Sequence, residues 1–357
     1  MMRVLIATDA WPPQVNGVVS TLTRLEAELK RRGVEAVFIT PHDFRGIPLP
    51  GYRELRVAVP GAGAVARLID EAAPDYIHIA TEGPIGWSVR WRCLNEGRAF
   101  TSSYHTKFPE YANRIFGVPE SWIYALERRF HARSAGVMVA TPSLESELRQ
   151  RGFARLLRWT RGVDTERFKP AARSFRRSEP LFLYVGRVSR EKNIEAFLDA
   201  PMPGWKLVVG DGPQLPALKR RYPDVVFAGR REGAELAAIY ASADVFVFPS
   251  RTDTFGLVLL EALASGLPVA AYPVTGPIDV VESGVSGILD DDLSTAAVRA
   301  LSLDREAARS RAEKFTWARS AEQFLDNVVS ANAAAAKHGR APRHAFKART
   351  VADGGLR

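Results

Sequence analysis

The sequence predicts an α/β protein built from two doubly wound parallel sheets that face each other across a cleft. Three observations point there. Short apolar, β-rich runs alternate with helical patterns along most of the chain. The runs are continuous rather than alternating, as in strands covered on both faces. The pattern also restarts after a polar, basic, proline-containing stretch at residues 169–180, which reads as a linker. A chain of 357 residues is long enough for two domains of about 150–200 residues each.

The first strand is expected at residues 4–8, followed by an amphipathic helix over about 18–32 and a strand at 36–39. Runs at 76–79, 99–101 and 136–139 complete the first unit. The second unit carries runs at 181–185, 206–209, 225–227, 245–248 and 269–271. The expected division is 1–170 for the first domain and 171–315 for the second. The tail 331–357, rich in Ala, Lys, Arg and Gly, is expected to be disordered.

Composition narrows the function classes. Hydrophobic residues make up 46% and charged residues 25%, which excludes a wholly disordered chain. No apolar run approaches the ~18 residues of a membrane-spanning helix. The apolar run after Met1-Met2-Arg3 is too short for a signal-peptide core. Cys93 is the only cysteine, so no internal disulfide and no multi-cysteine metal site can form. A cytoplasmic protein is the expectation. The net charge is +9. Residues 1–170 carry 24 Lys/Arg against 18 Asp/Glu, 171–330 carry 19 against 21, and 331–357 carry 6 against 1. The excess therefore lies in the first half and the tail. It suits peripheral docking at an anionic membrane, with basic clusters at 30–32 and 126–133. No nucleic-acid-binding signature is present, so nucleic acid is not an expected partner.

Gly61-Ala62-Gly63-Ala64-Val65-Ala66 fits a loose dinucleotide pattern, but it does not follow the first strand of its domain, and a plain helix start is expected. Asp290-Asp291-Asp292 precedes a helix and reads as a cap rather than a metal site. No phosphate-binding P-loop is present. After the first strand, Asn16-Gly17 offers a loop whose backbone N–H groups can reach a ligand. After the first strand of the second half, Gly186-Arg187 and Lys192 bring cations suited to phosphate oxygens. The sharpest signal is Asp253-Thr254-Phe255-Gly256-Leu257 followed by Glu261. A buried strand ends, a helix opens with free N–H groups suited to a diphosphate, and a Glu lies about one turn inside an apolar helix, where it needs a partner.

Together these pieces resemble a retaining glycosyltransferase of family four with the two-Rossmann GT-B fold. The resemblance covers about residues 3–330. It includes Asn16-Gly17-Val18, Ser103-Tyr104-His105-Thr106, Gly162-Val163-Asp164 with Phe168, Gly210-Asp211-Gly212-Pro213, the run 243–256 with Glu261, Ala264-Ser265-Gly266, and Phe315-Thr316-Trp317. The last resembles the start of a helix, 316–330, that crosses back to the first domain. Residues 47–52 and Tyr104-His105-Thr106 are similar to lipid-directed members: GDP-mannose-dependent mannosyltransferases and sulfoquinovosyl- or glucuronosyl-diacylglycerol synthases. One position departs from the family pattern: Asp253 stands where Glu is usual.

The resemblance implies transfer of a hexose from a nucleoside diphosphate sugar to an alcohol acceptor, a membrane lipid or lipid-linked glycan, with retention and without a metal or other cofactor. Arg187, Lys192, His105 and Asp253 are the expected catalytic set. Gly17, Gly186, Gly229, Arg230, Thr254, Phe255, Gly256, Leu257 and Glu261 would bind the donor. Asn16, Tyr104 and Thr106 would lie on the acceptor side. A monomer is expected. The rival readings are a non-hydrolysing nucleotide-sugar epimerase and a non-catalytic sugar-nucleotide or nucleic-acid binder.

Overall fold

The computed structural model describes residues 1–49, 52–172 and 178–337. Part of the 47–52 motif, the centre of the expected linker (173–177) and the tail 338–357 lie outside the described residues. The first half contains β1 (Arg3–Ala7), β2 (Glu35–Ile39), β3 (Gly46–Leu49), β4 (Tyr52–Ala58), β5 (Tyr76–Ile79), β6 (Thr101–Tyr104), β7 (Gly136–Val139) and β8 (Leu156–Arg158). All but β3 and β4 form one parallel sheet in the order β2-β1-β5-β6-β7-β8. The second half contains β9 (Leu181–Val185), β10 (Trp205–Val209), β11 (Val226–Gly229), β12 (Val245–Phe248), β13 (Val269–Ala271) and β14 (Gly287–Leu289), ordered β11-β10-β9-β12-β13-β14 and again parallel.

Why the apolar runs are continuous is visible in β9 and its neighbours. Leu183, Val185, Val209 and Phe246 face one core, while Phe182, Tyr184, Val208 and Val247 face the other. β9 and β12 are buried on both faces, so the two-residue period of their side chains shows no apolar–polar alternation. In each sheet the strand order runs outward to one side of the first strand and then resumes on its other side. The resulting switch points, β1/β5 and β9/β12, are where ligands of such sheets bind.

Several expected elements shift. The helix expected at 18–32 is Gly17–Arg31, with Asn16 as its cap. The strand expected at 99–101 runs Thr101–Tyr104. Its polar Ser102 and Ser103 masked it in the sequence, yet both are buried, their hydroxyls bonded to His131 and His78 at 2.9 Å each. The hairpin β3–β4, with Ile47 opposite Val57, was not anticipated as a pair. Gly61 opens the helix Ala62–Ala72, and Asp292 caps the helix Leu293–Ala300 through Ser294 N at 3.0 Å, both as expected.

The last helix is longer than expected. It spans Trp317–Lys337, so residues 331–337 are helical rather than part of a disordered tail. Ala331 is buried, and the apolar set Ala321, Phe324, Val328 continues to it at helical spacing. The alanine-rich composition that suggested disorder is also a strong helix former. The helix lies on the first sheet, where Phe324 and Val328 share a core with Val4, Ile6, Leu22 and Trp159. The Trp159 indole donates to Ser320 O and Oγ at 3.1 Å each, and the Asn327 amide donates to Arg158 O at 2.8 Å. Gly162 makes the approach of this helix feasible. A Cβ there would fall 2.3 Å from Trp317 N, so Gly162→Ala is expected to lower the melting temperature by several degrees in a thermal melt.

Candidate active site

The loops at the carboxyl ends of β9 and β12 supply the charged groups. Gly186-Arg187 leaves β9, and the Arg187 carbonyl accepts from Tyr184 Oη at 2.7 Å. Lys192 closes a single helical turn, Arg190–Lys192, and its Nζ lies 2.5 Å from Asp253 Oδ1 beyond β12. Burial pushes the Asp253 carboxyl up, but the Lys192 ammonium outweighs it and holds the group below the usual range. The second oxygen, Oδ2, is buried, and the Ser250 hydroxyl helps to hold the carboxyl down.

The helix Leu257–Ala264 starts from Gly256, whose φ of +82° is the left-handed conformation that glycine tolerates. Phe255 is buried, edge-on to Phe315 at 6.1 Å. Four residues into the helix, Glu261 accepts from Tyr240 Oη at 3.1 Å. Burial pushes the Glu261 carboxyl up to about 7, against the Tyr240 hydrogen bond and the Arg24 and Arg167 charges. A carboxyl raised in the folded state binds a proton that the unfolded chain releases. Stability therefore falls as pH rises from about 4.5 to about 7. Denaturant titrations across that range should show a smaller fall in Glu261→Gln than in the unmodified protein.

The first half closes the site from the other side. Thr254 Oγ1 donates to the His105 carbonyl at 2.6 Å, which joins the end of β6 to the start of the Leu257–Ala264 helix. A Cβ on Gly17 would sit 3.9 Å from Leu257 Cδ1, so the Asn16-Gly17 loop faces that same helix. The Ser143 amide and hydroxyl both bond to the Asp279 carboxylate, the amide at 3.1 Å. Burial and the Arg161 guanidinium hold the His105 imidazole well below its ordinary pKa, so the ring is neutral.

His105, Lys192, Asp253 and Thr254 are thus joined through direct contacts, with Phe255, Gly256 and Leu257 following on the same loop, Gly17 facing Leu257, Arg187 on the β9 loop and Glu261 farther along the helix. Asn16 is spent as a cap, accepting from Val18 N and Val19 N at 3.0 Å each. Thr106 is exposed. Gly229 ends β11, and the exposed Arg230 pairs with Glu232. Tyr104 is corrected. It is fully buried, packed against Phe153 and His131 at 5.8 and 6.1 Å between ring centres, and its phenol is in the core rather than on an acceptor face. Adjacent residues on an extended strand point to opposite layers, and His105 takes the other direction, toward Trp159. Sequence reasoning missed Arg161, a buried guanidinium 3.0 Å from His105 Nδ1, although it directly precedes the Gly162-Val163-Asp164 loop. Among the described residues, no group of three or more His, Cys, Asp or Glu side chains is placed to hold a metal ion.

Comparison with known proteins agrees with this geometry. Residues 15–167 match the model for Glycosyltransferase Family 4, and residues 179–303 match that for Glycosyl transferases group 1. A GDP-mannose-dependent alpha-mannosyltransferase of Corynebacterium glutamicum is 31% identical over 81% of this chain and 77% of its own length. The sulfoquinovosyl transferase SQD2 of Arabidopsis thaliana is 28% identical over 89% of this chain and 71% of its own. Among solved structures, the sucrose-phosphate synthase of Thermosynechococcus elongatus superposes with a TM-score of 0.78 at 22% identity, over 94% of this chain and all of the other. With two facing parallel sheets, a last helix returning to the first of them and this degree of identity, the chain belongs to glycosyltransferase family 4.

Proposed function

We propose that this enzyme moves a mannosyl unit from GDP-mannose to a membrane-lipid or lipid-linked alcohol, with retention at the anomeric carbon and without a metal. A UDP-hexose is the alternative donor. The observation that carries the reading is the Thr254–His105 hydrogen bond. It ties the His105 main chain of one half to the loop of the other that opens the Leu257–Ala264 helix and carries Asp253, the partner of Lys192. Departure of the nucleoside diphosphate builds negative charge on its oxygens. Arg187, Lys192 and the N–H groups of the Leu257–Ala264 helix supply compensating charge there. Asp253 Oδ2 is an acceptor for a sugar hydroxyl, and Glu261 for the ribose. His105 contacts the donor sugar, the leaving phosphate takes the acceptor's proton, and approach of the two halves excludes water.

The lipid side of the reading has support from relatives and from surface chemistry. Named relatives include an alpha-monoglucosyldiacylglycerol synthase of Streptococcus pneumoniae, 27% identical over 93% of this chain. On the helix Glu120–His131, Trp122 is 71% exposed and Leu126 53% exposed. Arg129 follows on the same face and exposed Arg133 just beyond the helix, an apolar and basic stripe suited to an anionic bilayer. Among the described residues no helix is long and apolar enough to cross a membrane. Sedimentation with anionic vesicles at low salt should pull down the enzyme, and Trp122→Ala with Arg129→Glu should reduce the bound fraction several-fold. No binding at low salt would count against a lipid acceptor.

A melting-temperature panel of GDP and UDP sugars identifies the donor, because a ligand that binds only the folded state raises the midpoint. GDP-mannose is expected to give the largest rise. Donor consumption without acceptor, yielding an epimer, would overturn transfer in favour of epimerisation. Turnover should be unchanged by chelator; loss restored by magnesium would refute the metal-free step.

A further inference from the structure

We infer that Arg161 is a positioning residue: by donating to His105 Nδ1 it fixes the imidazole as the tautomer that carries its hydrogen on Nε2 and aims that N–H at the donor sugar. The inference rests on the reading of His105 as a donor contact and adds the group that makes the contact directional.

Arg161 follows β8 and is only 4% exposed. Its guanidinium is clamped on three sides. Nη1 donates to Trp159 O at 2.6 Å and Thr160 O at 3.2 Å, and the group lies 4.3 Å from the centre of the Trp159 ring. Nη2 is 3.0 Å from His105 Nδ1. A guanidinium has donors and no acceptor. Burial lowers Arg161 to about 9, which still leaves it protonated at neutral pH. Nδ1 must therefore present a lone pair, which excludes both the imidazolium and the Nδ1–H tautomer. The ring hydrogen is left on Nε2.

That Nε2 is buried and makes no hydrogen bond. The other two buried histidines of this wall differ. His78 bonds to Thr101 and Ser103, and His131 to Ser102 and Glu82, through both ring nitrogens. A buried donor without a partner is costly, and a hydroxyl oxygen brought by the ligand satisfies it. Position is fixed as well as tautomer, since the His105 carbonyl is held by Thr254. Among the described residues no carboxylate lies within ion-pair distance of Arg161, so its charge is directed at the histidine rather than neutralised.

The test is nitrogen-15 NMR of histidine-labelled full-length protein, with the His105 signals assigned by their loss in His105→Gln. The neutral Nε2–H tautomer is expected for His105 at pH 7 without ligand. An imidazolium or an Nδ1–H tautomer in the unmodified protein overturns the inference, whatever the variants do. Arg161→Met, which keeps an apolar contact with Trp159, should yield a mixture of the two neutral tautomers, since burial still disfavours the imidazolium, and a kcat lower by on the order of 10²-fold, the usual effect of losing one preorganised donor. Arg161→Lys should restore the tautomer and most of the turnover. An unchanged ring state in Arg161→Met, or an altered ring state with unchanged kcat, overturns it. If His105→Gln turns over normally while the NMR result stands, the donor-contact reading fails and the tautomer assignment survives.

Discussion

Lys192→Ala and Arg187→Ala are each expected to lower kcat by about 10²–10³, the loss seen when one preorganised group facing developing charge is removed. Lys192→Ala should also lower the melting temperature, because among the described residues Lys192 is the cation paired with the Asp253 carboxylate. The two effects should not simply add, since both cations act on one diphosphate. Lys192→Ala carries a second signature. Without the ammonium, burial is opposed only by the smaller effect of the Ser250 hydroxyl and raises the Asp253 carboxyl. The acid limb of the pH–rate profile should then move to higher pH, and Lys192→Ala/Asp253→Asn should lose that shift. Steady-state kinetics from pH 5 to 9 distinguishes these outcomes. Near-normal transfer by both single variants would refute the phosphate clamp.

Trp159→Ala should be the most damaging substitution for stability, at about 3–5 kcal/mol, the range for a buried aromatic truncated to alanine. Trp159 is fully buried, packs against the tilted Phe324 ring at 5.1 Å between centres and donates to Ser320. Truncation leaves a cavity between the first sheet and the last helix and removes the indole hydrogen bond to Ser320. Arg161 also loses the ring beneath it, so the variant should lose activity along with stability. Urea titration followed by circular dichroism gives the stability change. A midpoint within experimental scatter of the unmodified protein would show that the last helix is not held as described.

The strands that build both sheets were legible because continuous apolar runs admit few other readings once helices separate them. Where polar residues fill a strand, as in β6, the sequence misleads, since Ser102 and Ser103 are paired inside the protein with histidines far along the chain. Site residues on the second half were legible because Gly186-Arg187, Lys192 and the 253–261 run lie on two neighbouring loops. The first-half contributions were harder. Whether Tyr104 or His105 faces the cleft depends on the direction of one strand end. Arg161 becomes interesting only when the fold brings it within 3.0 Å of a histidine 56 positions earlier. The length of the last helix was missed for a related reason. Ala331 is buried only because Gly136 and Leu157 of the first sheet lie beside it.

The return of the final helix also bears on biosynthesis. The hydrophobic set that includes Val4, Ile6 and Trp159 is completed by Phe324 and Val328. At about 5–20 residues per second, a ribosome adds the intervening stretch roughly 8–30 s after residue 160. During that interval part of one face of the amino-terminal sheet is uncovered, an opening for chaperones and for aggregation. The half that is made first is therefore the half that finishes folding last.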